Sequence, residues 1–239
     1  MKTKLYIVAI FAGALLLAKT GYAQTDPAAK TPASTAEADA KSKEDTEKKA
    51  AEWAASLTLN DAAKEARVKE VIATHMLAVR DWNNSHSADN VPAGINPTTG
   101  KPLTVMERQI IINSTIPKSV HTDLMTGLHK DLTDDQVELI LDKYTQGKVA
   151  FTLAGYKSIV PVVTPEDEKV ILTNLKLARE QAIDYKNIKQ VSAIFEIHKT
   201  VIENYFTNSG RNWHQMYKVY TDAVKAKKAA DAAVAPPKN

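Results

Sequence analysis

The sequence predicts an all-α fold, a multi-helix, bundle-like domain with one long C-terminal helix and a long Pro/Gly-rich loop. Three observations carry that expectation. Large apolar residues recur at steps of three and four from Val68 through Tyr220, which is the helical period. Thr or Pro stands repeatedly where a helix start needs a side-chain cap or a pre-set φ. The one stretch rich in β-branched residues, "KVAFTLAGYKSIVPVV" from Lys148 to Val163, lacks the turn spacing of a hairpin, because only five residues separate Gly155 from Pro161.

The ends read differently from the middle. Lys2 and Lys4, the apolar run "LYIVAIFAGALLLA" and Gly21-Tyr22-Ala23 have the form of a secretory signal, expected to span 1–23 with cleavage after Ala23. The run is short for a spanning helix and no second one follows, so no stable membrane insertion is expected once it is removed. Residues 24–49 carry nothing large and apolar and read as a disordered linker, and 229–239 as a disordered tail. The stretch 50–228 is then a single helical domain. The signal makes a periplasmic or secreted protein the expectation, and the absence of cysteine, which excludes a lipobox, disulfides and thiolate chemistry, argues against a lipoprotein. A net charge of +3, with much of the excess in the signal and tail, gives no pull toward nucleic acid.

Within the domain the first helix is expected to start at a cap on Thr58 or Asn60 and to lay Val68, Ile72, His75, Val79 and Trp82 on one face. The Pro/Gly-rich loop "NNSHSADNVPAGINPTTGKPLT" is longer than most connections in a compact domain. Thr104 and Glu107 have capping-box spacing, Pro117 suits the first turn of the next helix, and Thr133 caps "DDQVELILDKY", which Gly147 stops. In the Lys148–Val163 stretch, Thr152 is read as the cap of a short helical corner that Pro161 ends. Thr164 and Pro165 then open a seam from Ile171 to Tyr205 that would span roughly 60 Å if unbroken. Two consecutive steps of three at Tyr185, Ile188 and Val191 are a stammer, which predicts overwinding or a break near Asp184 to Asn187. Gly210 ends this seam and Trp213 starts the last helix.

The runs "LTDDQVELILDKYT", "GKVAFTLAGYKSIVPVVTPEDEKVILTNLKLAREQAID" and "IENYFTNSGRN" resemble, over about Ala50 to Lys228, a family of exported helical proteins of Gram-negative bacteria classed as a domain of unknown function. Members are often encoded beside polysaccharide-degrading and glycan-uptake systems, so the resemblance implies a carbohydrate context. It carries over no functional residues. The "LTxxQ" form of Leu132, Thr133 and Gln136 is also similar to small periplasmic stress chaperones, though the rest of the chain departs from their pattern.

No nucleophile elbow, phosphate loop, HExxH or EF-hand loop is present, and neither a cofactor nor a metal is called for. Catalytic residues are not identifiable. His75 and His198 fall on apolar faces and read as core histidines, and His121 and His129, eight apart, lack the three- or four-residue spacing of helical metal ligands. Lys176, Glu180 and Asp184 form an i, i+4 row with Arg179 beside it, either a solvated ion-pair row or a pocket wall facing Tyr156. Trp82, Tyr144, Tyr156, Trp213 and Tyr217 are core residues or sugar-stacking platforms. The candidate ligand-binding set is therefore Trp82, Tyr144, Tyr156, Arg179, Glu180 and Trp213. Three function classes stay open: an accessory protein binding a glycan or an exported protein, a carbohydrate-active hydrolase or lyase using Asp or Glu, and a chaperone-like helical protein.

Overall fold

The structure, a computed structural model, describes residues 32–97 and 99–234. The expected signal, the first part of the linker and the end of the tail lie outside the described residues. By its internal contacts the chain divides into Met1–Asp39 and Ala40–Asn239, and of the first unit only residues 32–39 are described. Among the described residues there are nine α-helices, one short 3-10 turn at Ala88–Asn90, and no strand. The helices are α1 (Pro32–Ala55), α2 (Ala62–Ser85), α3 (Val105–Asn113), α4 (Lys118–Asp131), α5 (Asp134–Tyr144), α6 (Lys148–Ile159), α7 (Pro165–Ala182), α8 (Ile188–Asn208) and α9 (Trp213–Val234).

Most starts follow the caps read from sequence. Thr104, Thr133 and Thr164 each close a full capping box, with Glu107, Gln136 and Asp167 reaching back to the cap backbone. Three readings differ. The cap of α2 is Asp61, whose carboxylate accepts from the N–H groups of Ala63 and Lys64, while Thr58 and Asn60 occupy left-handed turn positions before it. Thr152 is buried inside α6 rather than capping it, because the left-handed turn at Gln146 and Gly147 already starts that helix at Lys148. Residues 32–49, expected to be linker, are helical, since an Ala-, Glu- and Lys-rich run has high helix propensity and Ala50 and Ala54 anchor its end by complete burial. The long loop folds back on itself, with the Leu103 N–H donating to the Gly94 carbonyl at 2.8 Å and the Asn96 N–H to that of Lys101 at 2.8 Å.

The helices build two cores. Ala54 of α1, Val68 and Ile72 of α2, Leu124 and Leu128 of α4 and Ile140 of α5 form the first. Tyr156 of α6, Ile171 and Leu175 of α7, and Ile194, Ile202 and Phe206 of α8 form the second, with Trp213 of α9 packed against it. The long helix foreseen for residues 165–206 is divided where the stammer falls. After α7 the Tyr185 N–H makes a tighter bond to the Ala182 carbonyl at 3.2 Å, and Asn187 then recaps the chain by accepting from the N–H groups of Lys189 and Gln190. This corner turns α8 antiparallel to α7, as the pairs Gln181–His198 and Asp167–Tyr205 show. One clamp closes the far end of that hairpin: Arg211 donates twice to the buried Asp167 carboxylate at 2.6 and 2.7 Å.

Candidate functional site: a shared carboxylate at the α7–α8 corner

Asp184, in the corner between α7 and α8, accepts from two imidazoles carried by two other helices. His75 of α2 lies with Nε2 at 3.0 Å from one carboxylate oxygen, and His121 of α4 with Nδ1 at 3.0 Å from the other. His75 reaches it because the apolar face of α2, through Val68, Ile72 and Val79, also carries the imidazole inward; its side chain is 1% exposed. The Tyr144 hydroxyl of α5 sits 3.1 Å from His75 Nδ1, and His121 Nε2 lies 3.6 Å from a Glu180 carboxylate oxygen. The chain Tyr144, His75, Asp184, His121, Glu180 thus runs from the core to the surface.

The partners fix the tautomers. A neutral His75 donates from Nε2 to Asp184 and accepts the Tyr144 hydroxyl on Nδ1, and His121 donates from Nδ1, leaving Nε2 toward Glu180. Burial raises the Asp184 carboxyl, but the hydrogen bonds from His121 and His75 outweigh it and hold the group below the usual carboxylate range. The same bond to Asp184 lifts the His121 imidazole above its ordinary value, against partial burial. Burial, reinforced by the Asp184 charge, pushes the Tyr144 phenol well up, so it stays protonated. Among the described residues no group of three or more His, Asp or Glu is placed to hold a metal ion. What the array offers is a carboxylate-oriented imidazole with one nitrogen near solvent, next to a second carboxylate.

Around it the end of α2 adds amides. Asn83, about two turns beyond His75 along α2, has a buried side-chain N–H group without a partner. Asn84 accepts from the Lys186 ammonium of the corner. Trp82, in the same turn, stacks on His86 with ring centroids 3.6 Å apart and donates to the Ile112 carbonyl at 3.4 Å.

The six candidate residues divide among four places. Tyr144 and Glu180 meet in the Asp184 array, and Trp82 stands at the adjoining end of α2. Tyr156 and Trp213 meet in the second core with centroids 5.3 Å apart, the buried Tyr156 hydroxyl donating to the Lys199 carbonyl at 3.4 Å. Arg179 is buried and faces α5, pairing with Glu138 at 2.6 Å and Asp142 at 2.7 Å, so the charged row does not face Tyr156. Of the histidines, His75 is in the core as read, His198 is half-buried and bonded to Gln181, and His129 lies 3.4 Å from Asp134, apart from His121. The family model described as "Protein of unknown function (DUF3826)" matches residues 43–226, well over half the chain. The chain belongs to the DUF3826 family. No curated protein matches it.

In this DUF3826 chain Asp184 and His121 each stood out in the sequence for another reason, in a charged row and as a weighed metal ligand, but their pairing with each other and with His75 did not. They lie 63 residues apart, and His75 and Asp184 lie 109 apart. The sequence did carry a local signal, since the stammer that breaks the long helix falls at Asp184, and a break exposes backbone and side chains that a continuous helix would cover.

Proposed function

We propose that this DUF3826 protein is an exported, non-enzymatic accessory protein that binds a glycan at the polar end where α2, α4 and the α7–α8 corner meet. The observation that supports this most is the Asn83 amide, whose buried N–H group lacks a partner on the same turn as Trp82 and next to Asn84. A buried donor left unmatched costs on the order of 1–3 kcal/mol, which a ligand hydroxyl recovers on binding. Carboxylates, amides and imidazoles together accept from and donate to sugar hydroxyls, and Trp82 supplies an aromatic ring at the same end.

Titration calorimetry with a panel of plant and host oligosaccharides tests the reading. Binding to one class is expected, with affinity weakened by about tenfold in Asn83→Ala and Trp82→Ala at unchanged melting temperature. No heat with any glycan would remove it. A second reading, a carbohydrate-active hydrolase or lyase, draws on the same groups, because an imidazole oriented by Asp184 and facing Glu180 has the arrangement of a general base. Release of reducing sugars or unsaturated products, lost in Glu180→Gln, would favour catalysis over binding alone.

A further inference from the structure

The residues flanking Asp184 belong to different cores. Ile183 packs with α1, α2, α4 and α5, and Tyr185 packs with α6, α7 and α8. The corner is therefore where the two halves of the helical unit are joined, and the carboxylate between Ile183 and Tyr185 is tied to α2 and α4 by imidazoles alone. We propose that the His75–Asp184–His121 array is a proton-operated latch that holds the α7–α8 corner, and with it the second core, against α2 and α4.

The groups facing the latch come from each element around it: His75 of α2, His121 of α4, Tyr144 of α5, Glu180 of α7 and Tyr185 of the corner. Asp184 and Glu180 are the acids, the two imidazoles are the groups that contact them, and the Lys186 ammonium of the corner is engaged with Asn84 of α2 instead. With both imidazoles neutral, ordinary hydrogen bonds hold the corner while two carboxylates one helical turn apart repel. A proton on His121 makes its bond to Asp184 charge-assisted, roughly twice as strong, and turns a second N–H toward Glu180. His121 is the half-exposed imidazole and takes its proton from solvent, whereas His75 is enclosed.

The buried end of the array also accommodates a proton without losing a bond. If His75 Nδ1 becomes a donor, the Tyr144 hydroxyl accepts it and turns its own hydrogen to the Ile72 carbonyl, 3.5 Å away. The upward shift at His121 sets the sign. A histidine whose folded value is raised contributes stability that is complete below its unfolded value and is lost as pH rises through the folded one. The latch is thus closed in mild acid and loosens toward alkaline pH. This inference does not rest on the glycan reading, and its readouts need no ligand.

Native-state hydrogen exchange of the amides of residues 183–190, together with an NMR titration of the His121 ring, tests it in the full chain. Amides near Leu124 and Leu128 in the first core serve as the reference. Because His121 is raised in the closed corner, corner opening is expected to rise several-fold, relative to the reference amides, between roughly pH 5.5 and pH 8. His121→Gln keeps an N–H donor for Asp184 and removes the titration, and its corner opening is expected to be flat with pH. An equal pH dependence in both proteins overturns the latch, as does a His121 ring that titrates at or below the ordinary histidine value. The ring titration uses the wild-type chain alone, so it decides the matter even where the variant fails to fold.

Discussion

Ile183 and Tyr185, separated by one residue, are buried in different hydrophobic cores. The chain thus crosses between two packing units in the space of a single carboxylate, and each unit should respond to its own truncations first. Ile183 is 2% exposed, so Ile183→Ala leaves a cavity in the first core and is expected to cost about 3 kcal/mol. Urea unfolding followed by tryptophan fluorescence checks this. Trp53 packs edge-on against Tyr144 beside the first core and Trp213 lies against the second, so the Trp53 signal should shift before that of Trp213. Single-Trp versions of the variant with one common midpoint would show instead that the two cores unfold as one.

The clamp at the other end of the α7–α8 hairpin should be the most costly ion pair to break. Asp167 is 1% exposed and accepts from Arg211, from the Tyr205 hydroxyl at 2.9 Å and from the Thr164 N–H at 2.9 Å. Arg211 also lies over the Phe206 ring, 4.6 Å from its centroid. Arg211→Ala strands the buried carboxylate and loses that stacking, at an expected cost of about 3 kcal/mol. The bond to Arg211, against burial, holds the Asp167 carboxyl well below the usual carboxylate range. A lowered acid contributes stability that is present above its unfolded value, near 4, and is lost as pH falls through the folded value. Wild type should therefore lose stability from about pH 4 downward more steeply than Arg211→Ala, as denaturant melts across that range would reveal.

How much of this was legible in the sequence follows from how far apart the interacting residues are. The capping boxes at Thr104, Thr133 and Thr164 depend on residues three apart and the break after Ala182 on the stammer from Tyr185 to Val191, six positions, and the spacing of the chain displays both. The Asp184 array depends on His75, His121 and Tyr144, brought together only when α2, α4 and α5 pack. Tyr156 and Arg179 show the same limit from the other side. Their polar tips suggested a ligand site, but the Tyr156 hydroxyl donates to the Lys199 carbonyl and the two terminal nitrogens of Arg179 pair with Glu138 and Asp142 across helix interfaces, while the buried Arg179 Nε lacks a partner.

The start of α2 separates propensity from geometry. Thr58, Asn60 and Asp61 are all good capping types, yet only Asp61 has extended backbone, at φ −145°, with its carboxylate oxygen 3.0 Å from two helix N–H groups. Asp61→Ala is expected to cost about 1 kcal/mol, the usual loss on removing a cap. Thr58 has φ +51°, a strained setting for a β-branched residue, so Thr58→Gly should be neutral or stabilising. Thermal melts of the two variants should move in opposite directions or leave Thr58→Gly unmoved, and a larger loss at Thr58 would place the cap there after all.

Two helical glycines should answer the same substitution with opposite signs. In an open helix, Gly→Ala stabilises by about 0.5–1 kcal/mol, because glycine loses more backbone freedom on folding. Gly155 in α6 has open space where a Cβ would go, so Gly155→Ala should gain that amount. At Gly127 in α4 the added carbon would sit 2.6 and 2.8 Å from the two methyl groups of Val71, closer than real contacts allow. Val71 is β-branched on α2 and has little rotamer freedom to yield, so α2 and α4 must separate, at an overpacking cost of about 1–3 kcal/mol that exceeds the helix gain. Because α2 and α4 carry His75 and His121, that separation should also weaken the hold on Asp184. Gly127→Ala is therefore expected to lower the melting temperature and raise exchange at the α7–α8 corner together, and adding Val71→Ala should restore both by removing the clashing methyl groups.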